Sequence, residues 1–178
     1  MNATADQHHL FYWFFKNLTL PDTTPLVLWM NGGPGSTSMF GLFLENGPLR
    51  VLQTGPTLDD FKVDLKPAGS WGDIADVLFL DQPAGTGFSY FDKTATPTLA
   101  AGATEVVQLL TQFLKMYPEY NKRSLIIAGE SYAGKYVPQI AKFVQDYKTA
   151  QMALPQAQQA YFELTAILLG DPFTAPIP

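Results

Sequence analysis

The sequence predicts an α/β fold, a mostly parallel sheet with helices on its faces. Three observations carry that prediction. Four runs of strand length, Pro25–Asn31, Asp76–Asp81, Ser124–Gly129 and Leu164–Gly170, are almost continuously apolar. That is the pattern of strands buried on both faces. In the second half, stretches with helical spacing separate three of these runs, and strand–helix–strand–helix–strand is the signature of parallel crossovers. The composition supplies a core: 47% of the 178 residues are hydrophobic and only 15% charged, which excludes a disordered chain.

Taken in order, Leu10–Lys16 is aromatic and bounded by polar residues, so it reads as a strand. Pro25–Asn31 follows and ends in the tight turn Gly32-Gly33-Pro34-Gly35. Leu49–Leu52 reads as another short strand. Asp76–Asp81 runs into Gln82-Pro83-Ala84-Gly85-Thr86-Gly87. Thr96-Pro97 then opens a helix, with Thr96 as cap and Pro97 at the first position. Val106, Leu109, Leu110, Phe113 and Leu114 recur at helical spacing as far as Pro118. After Ser124–Gly129, a second helix covers Tyr132 to about Tyr147, with Val137, Ile140, Ala141 and Val144 on one face and Pro138 disturbing its start. Gln151–Ala160 fits a helical extension or a surface loop. No internal repeat or linker divides residues 1–178, which read as a single domain.

Several function classes fall away. Eleven Lys and Arg against sixteen Asp and Glu leave a net charge of −5 and a pI near 4.8, so there is no electrostatic footprint for nucleic acid. Without cysteine, a disulfide framework, a Cys-ligated zinc and a thiol nucleophile are excluded. No apolar run reaches the ~18 residues of a membrane helix, and the first residues do not form a signal peptide. No membrane partner, metal or cofactor is expected. Two sequons, Asn2-Ala3-Thr4 and Asn17-Leu18-Thr19, hint at a secretory history. His8-His9 is a tempting base or metal pair. Adjacent residues of an extended chain point apart, however, and the plain reading is an exposed, flexible terminus.

The chemistry concentrates in two glycine turns. Gly129-Glu130-Ser131-Tyr132-Ala133-Gly134 joins a buried strand to a helix. Small residues flank a serine there when the chain reverses too sharply for side chains, which pushes the hydroxyl into an exposed, strained position. The helix N-terminus behind it offers free N–H groups. An ordinary βα turn with a serine cap is the plainer reading. A serine nucleophile also needs backbone donors for the developing oxyanion. Asn31-Gly32-Gly33-Pro34-Gly35 ends another parallel strand at the same sheet edge, so Gly33 N–H and Tyr132 N–H form the candidate pair.

Together with Leu10–Phe15, Pro25–Gly35, Met39–Pro48, Asp81–Tyr90, Tyr117–Glu119 and Gly129–Gln139, these turns make the chain resemble a serine carboxypeptidase, most similar to the vitellogenic-like and lysosomal members. The resemblance implies an α/β-hydrolase fold and a peptide substrate with a free C-terminus. It further implies Ser131 as nucleophile, Gly33 and Tyr132 as oxyanion-hole donors, and Asn31, Gly32, Glu45 and Glu130 as the group holding the substrate's α-carboxylate, with Trp29 beside them. Two glutamates suit an anion only if burial and mutual repulsion raise their pKa, so that one keeps its proton in acid. On its own, Glu45 reads as a solvated loop charge. The resemblance also implies a vacuolar, lysosomal or extracellular setting.

In this class the acid and the histidine follow the serine, yet no histidine follows Ser131. Asp171 falls in the family's Gly-Asn/Asp-Gly position as Gly170-Asp171-Pro172 and reads as a structural hydrogen-bonder rather than the triad acid. The expectation is therefore a partial α/β-hydrolase domain, about two-fifths of a carboxypeptidase. It would start inside the family pattern, lack the triad acid and base, and have negligible activity by itself. A non-catalytic degenerate homologue and a carboxypeptidase-like acyltransferase are the alternatives. Ser36 stands where many relatives carry a cysteine. Leu164–Gly170 should form an apolar sheet edge that favours aggregation.

Overall fold

The computed structural model describes residues 7–96 and 98–175; the Asn2 sequon and Pro97 lie outside them. In chain order the elements are β1 (His8–His9), β2 (Tyr12–Phe15), β3 (Leu26–Met30), α1 (Met39–Leu44), β4 (Leu49–Gln53), β5 (Phe61–Leu65), β6 (Asp76–Leu80), β7 (Tyr90–Phe91), α2 (Leu99–Met116), β8 (Ser124–Glu130), α3 (Ala133–Met152) and β9 (Glu163–Gly170). The central sheet has five strands in the order β2-β6-β3-β8-β9. β2 is antiparallel to β6, and all the other pairs are parallel.

The apolar runs are continuous because the sheet is covered on both faces. Leu26, Leu28 and Met30 of β3, Leu78 and Leu80 of β6, and Leu125 and Ile127 of β8 join one core. There they meet Val106, Leu110 and Phe113 of α2 and Val137, Ile140 and Val144 of α3. The alternate residues Val27, Trp29, Val77, Phe79 and Ala128 face a second cluster with Met39 and Leu42 of α1. The period of two along each strand thus feeds two cores at once. Parallel register places the C-terminal ends of β3 and β8 side by side, pairing Met30 with Gly129. Both glycine turns therefore leave the sheet at one edge.

Several expectations shift. Helix α2 is capped by Thr98, whose hydroxyl accepts from Ala101 N–H at 3.1 Å. Thr96 instead donates to the Glu105 carboxylate at 3.0 Å, so the helix starts later than the Thr96-Pro97 pair suggests. Helix α3 runs through to Met152, and Pro138, in its second turn, faces solvent. Residues 151–160 divide between the end of α3 and a 3-10 turn at Gln156–Gln158. Leu49–Leu52 does form a strand, but in a separate hairpin with β5. The histidines are not a loose terminus: β1 pairs with β7, His8 Nδ1 lies 2.7 Å from Glu105 Oε1, and the His9 ring stacks on Tyr90 at 4.3 Å. The Asn17 sequon has its amide engaged, with Nδ2 donating to Gly72 O at 2.8 Å.

Candidate active site

Ser131 sits between β8 and α3 with φ at 55°, in the left-handed region that non-glycine residues seldom adopt. Its neighbours explain how it is held. Ser131 N–H donates to Gly170 O at 2.9 Å, and its carbonyl accepts from Phe173 N–H at 2.8 Å. The residue is exposed, and its hydroxyl makes no hydrogen bond among the described residues. The helix cap position belongs to Tyr132, which has no side-chain cap bond. A serine cap therefore does not account for Ser131. Local strain of this kind is stored where the surroundings over-determine it.

The glycine turn after β3 packs directly onto this bend. A Cβ on Gly32 would stand 2.5 Å from Tyr132 N and 2.7 Å from Glu130 O, closer than any side chain tolerates. Gly33 has φ of 106°, and a Cβ there would meet Ser36 N at 2.7 Å. Asn31, Gly32, Gly33, Glu130 and Ser131 line one cavity of about 410 Å³, with Ser36, Thr37 and Phe40 on its other walls. Glu45 joins through Asn31, and Tyr132 follows Ser131 on the bend. The structure thus brings all seven singled-out residues into one neighbourhood.

Asn31 is the hub, only 2% exposed. Its Oδ1 accepts from Trp29 Nε1 at 2.9 Å and from Gly41 N–H at 3.0 Å. Those two bonds fix the amide so that Nδ2 donates to Glu130 Oε1 at 2.9 Å and Glu45 Oε2 at 3.2 Å. Burial, foremost, and the adjacent Glu130 carboxylate push the Glu45 carboxyl above its ordinary range, while the Asn31 amide pulls the other way. Glu45 is thus a member of a polar cluster and not a solvated loop charge. A carboxyl of this pair that carries a proton can donate it in a hydrogen bond to an incoming anion.

Sequence reasoning missed Gly41, Thr37 and Ser38, which brace this cluster, and marked Asp81 only as a residue at a strand end. Helix α1 reads in sequence as six mostly apolar residues without polar periodicity, which periodicity cannot separate from a strand. Within it, Gly41 is obligatory, since a Cβ there would lie 2.3 Å from Trp29 Nε1 and 2.8 Å from Asn31 Oδ1. Asp81, fully buried, accepts from Thr37 Oγ1 at 2.8 Å, Ser38 N–H at 2.7 Å and Phe88 N–H at 2.9 Å. It ties the entry of α1 to the loop after β6. The Ser38 hydroxyl in turn accepts from Asn31 N–H at 3.1 Å. Asp171 departs from expectation: it has φ of 39° just past β9, and its carboxylate makes no hydrogen bond among the described residues. Neither histidine lines the cavity.

Known proteins match this chain over nearly its whole length. The serine carboxypeptidase family profile matches residues 1–177. The chain is 43% identical over 177 residues to carboxypeptidase Y homolog A of Ajellomyces dermatitidis, covering 99% of this chain and 29% of that protein. It is 38% identical over 176 residues to carboxypeptidase Y of Schizosaccharomyces pombe, covering 97% of this chain and 17% of the other. Among solved structures it is similar to Kex1(delta)p, a prohormone-processing carboxypeptidase from Saccharomyces cerevisiae, with a TM-score of 0.80 and 31% identity. That match covers 96% of this chain and 35% of the other. The chain therefore spans under one-third of the first relative's length, less than the two-fifths expected.

Proposed function

Because the chain belongs to the serine carboxypeptidase family, we propose that it carries the nucleophile and the C-terminus-recognition cluster of an enzyme that removes C-terminal residues from peptides. Ser131 Oγ attacks the last peptide carbonyl, and its proton passes to a base. The tetrahedral oxyanion rests on Gly33 N–H and Tyr132 N–H. On collapse the C–N bond breaks, the protonated amine leaves as a free amino acid, and water then hydrolyses the ester on Ser131. Asn31, Glu45 and Glu130, with the Gly32 backbone, hold the substrate's α-carboxylate.

The observation that carries this reading is the Asn31 amide bridging two carboxylates beside an exposed, unengaged serine in one cavity. A base for Ser131 is not offered by His8 or His9, so residues 1–178 by themselves bind a peptide end without cleaving it. The raised Glu45 pKa supports work in an acidic vacuole, lysosome or extracellular space. The test is titration of the chain with N-acetyl-phenylalanine, which bears a free carboxylate. Saturable binding in acid, lost in Asn31→Leu, supports the reading. Absence of binding, or turnover of a blocked dipeptide that Ser131→Ala abolishes, overturns its respective half.

A further inference from the structure

A second cavity, of about 270 Å³, borders Pro34 and Tyr132 and shares no lining residue with the first. Pro34, Pro83, Leu99, Ala103, Tyr132 and Ile140 supply largely apolar walls. Among them stands one carboxamide, that of Gln82, a residue only 4% exposed. Its Nε2 is buried with no hydrogen-bond partner among the described residues. A buried amide left this way costs free energy unless something pairs with it. Gly102 of α2 lies beside Gln82 and leaves this part of the wall open. A Cβ there would meet only Thr96 Cγ2 at 3.7 Å, Gln82 Oε1 at 3.9 Å and Pro83 Cβ at 4.0 Å, all ordinary contacts. A larger residue would fit the backbone and fill the space, so the glycine preserves volume rather than conformation.

We propose that this cavity is a second binding site, for a small apolar group that carries an amide, of the size of one blocked apolar amino acid. Apolar walls with one convergent polar group are the composition of a small-molecule site. An amide ligand suits the Gln82 side chain in particular, because a half-turn of its carboxamide presents either the donor or the acceptor. The site does not need a carboxylate, and no charged side chain among the described residues lines it. It touches Pro34 and Tyr132, each adjacent to or part of the candidate oxyanion donors, so an occupant braces the turn that shapes the first site. The proposal does not depend on Ser131 being a nucleophile.

The test uses N-acetyl-phenylalaninamide, blocked at both ends and therefore lacking the carboxylate that the first site reads. Titrated into the 178-residue chain and followed by backbone-amide and methyl NMR, it should bind saturably, shifting Leu99, Ala103 and Ile140. Gly102→Leu should weaken it by about tenfold or more, the loss of roughly one filled side-chain pocket. Glu130→Gln should leave it unchanged while altering N-acetyl-phenylalanine binding. Gln82→Leu should weaken the amide probe but not n-butylbenzene, which has no amide. No saturable binding, shifts centred on Asn31 and Ser131, or a Gly102→Leu chain that folds and binds as before would overturn the site. Equal effects of Gln82→Leu on both probes would overturn its reading of the amide.

Discussion

At Glu45, burial and the neighbouring Glu130 carboxylate both favour the protonated acid. A folded pKa above the unfolded one means the folded chain holds this proton more tightly. Its contribution to stability is complete below the unfolded value and is lost as pH rises through the folded value. Binding of a carboxylate ligand follows the same sign, because the ionised pair repels it. N-acetyl-phenylalanine should therefore bind more weakly at about pH 8 than at about pH 5, and Glu45→Gln should flatten the profile; isothermal titration at the two values checks this. Equal binding in the unmodified chain would remove the proton from the recognition scheme. At Gly32 the constraint is steric. Gly32→Ala places a methyl against the Tyr132 and Glu130 backbone, so urea unfolding should show a loss of about 1–3 kcal/mol, along with the carboxylate binding. Ser131, Gly33 and the flanking glycines were legible in sequence because a sharp bend leaves a compositional mark. The bracing roles of Asp81 and Gly41 were not, since their partners lie 43 positions away at Ser38 and 10 positions away at Asn31.

Elements with a strong period were readable, and their ends were not. The apolar spacing of α2 predicts the face that is buried, yet two threonines, Thr96 and Thr98, compete for its cap. Tertiary contact settles the choice, because Glu105 and His8 draw Thr96 away. Thr98→Ala should cost about 1 kcal/mol, seen as a lower urea midpoint with an unchanged slope, whereas Thr96→Ala should leave the Ala101 cap bond intact. The hairpin of β4 and β5 escaped notice in half. The side chains of Phe61, Val63 and Leu65 alternate with polar ones but remain exposed, so no buried run marks that strand.

Two features act at the scale of the whole molecule. Asp76 and Arg123 form a buried ion pair at 3.2 Å, and Tyr120 both donates to Asp76 at 2.6 Å and lies under the Arg123 guanidinium at 4.1 Å. Burial, with the Asp76 contact, pushes the Tyr120 phenol far up, so it stays a donor. Arg123→Leu strands the Asp76 charge and should destabilise the chain by about 3–5 kcal/mol in urea titration. At the sheet margin, β9 leaves Ile167 43% and Leu168 44% exposed. An open apolar edge templates pairing, so the chain should self-associate in sedimentation velocity and Leu168→Lys should reduce it. A monomer with sharp, reversible unfolding would contradict this. By itself the sequence determined the class of fold, the buried strands and the two turns, because burial and backbone reversal are local demands written in consecutive residues. Only the tertiary structure decided that Asn31 joins Glu45 to Glu130, that Thr98 caps α2, and that Gln82 lines an apolar chamber, because each depends on which distant backbone comes within a few ångströms.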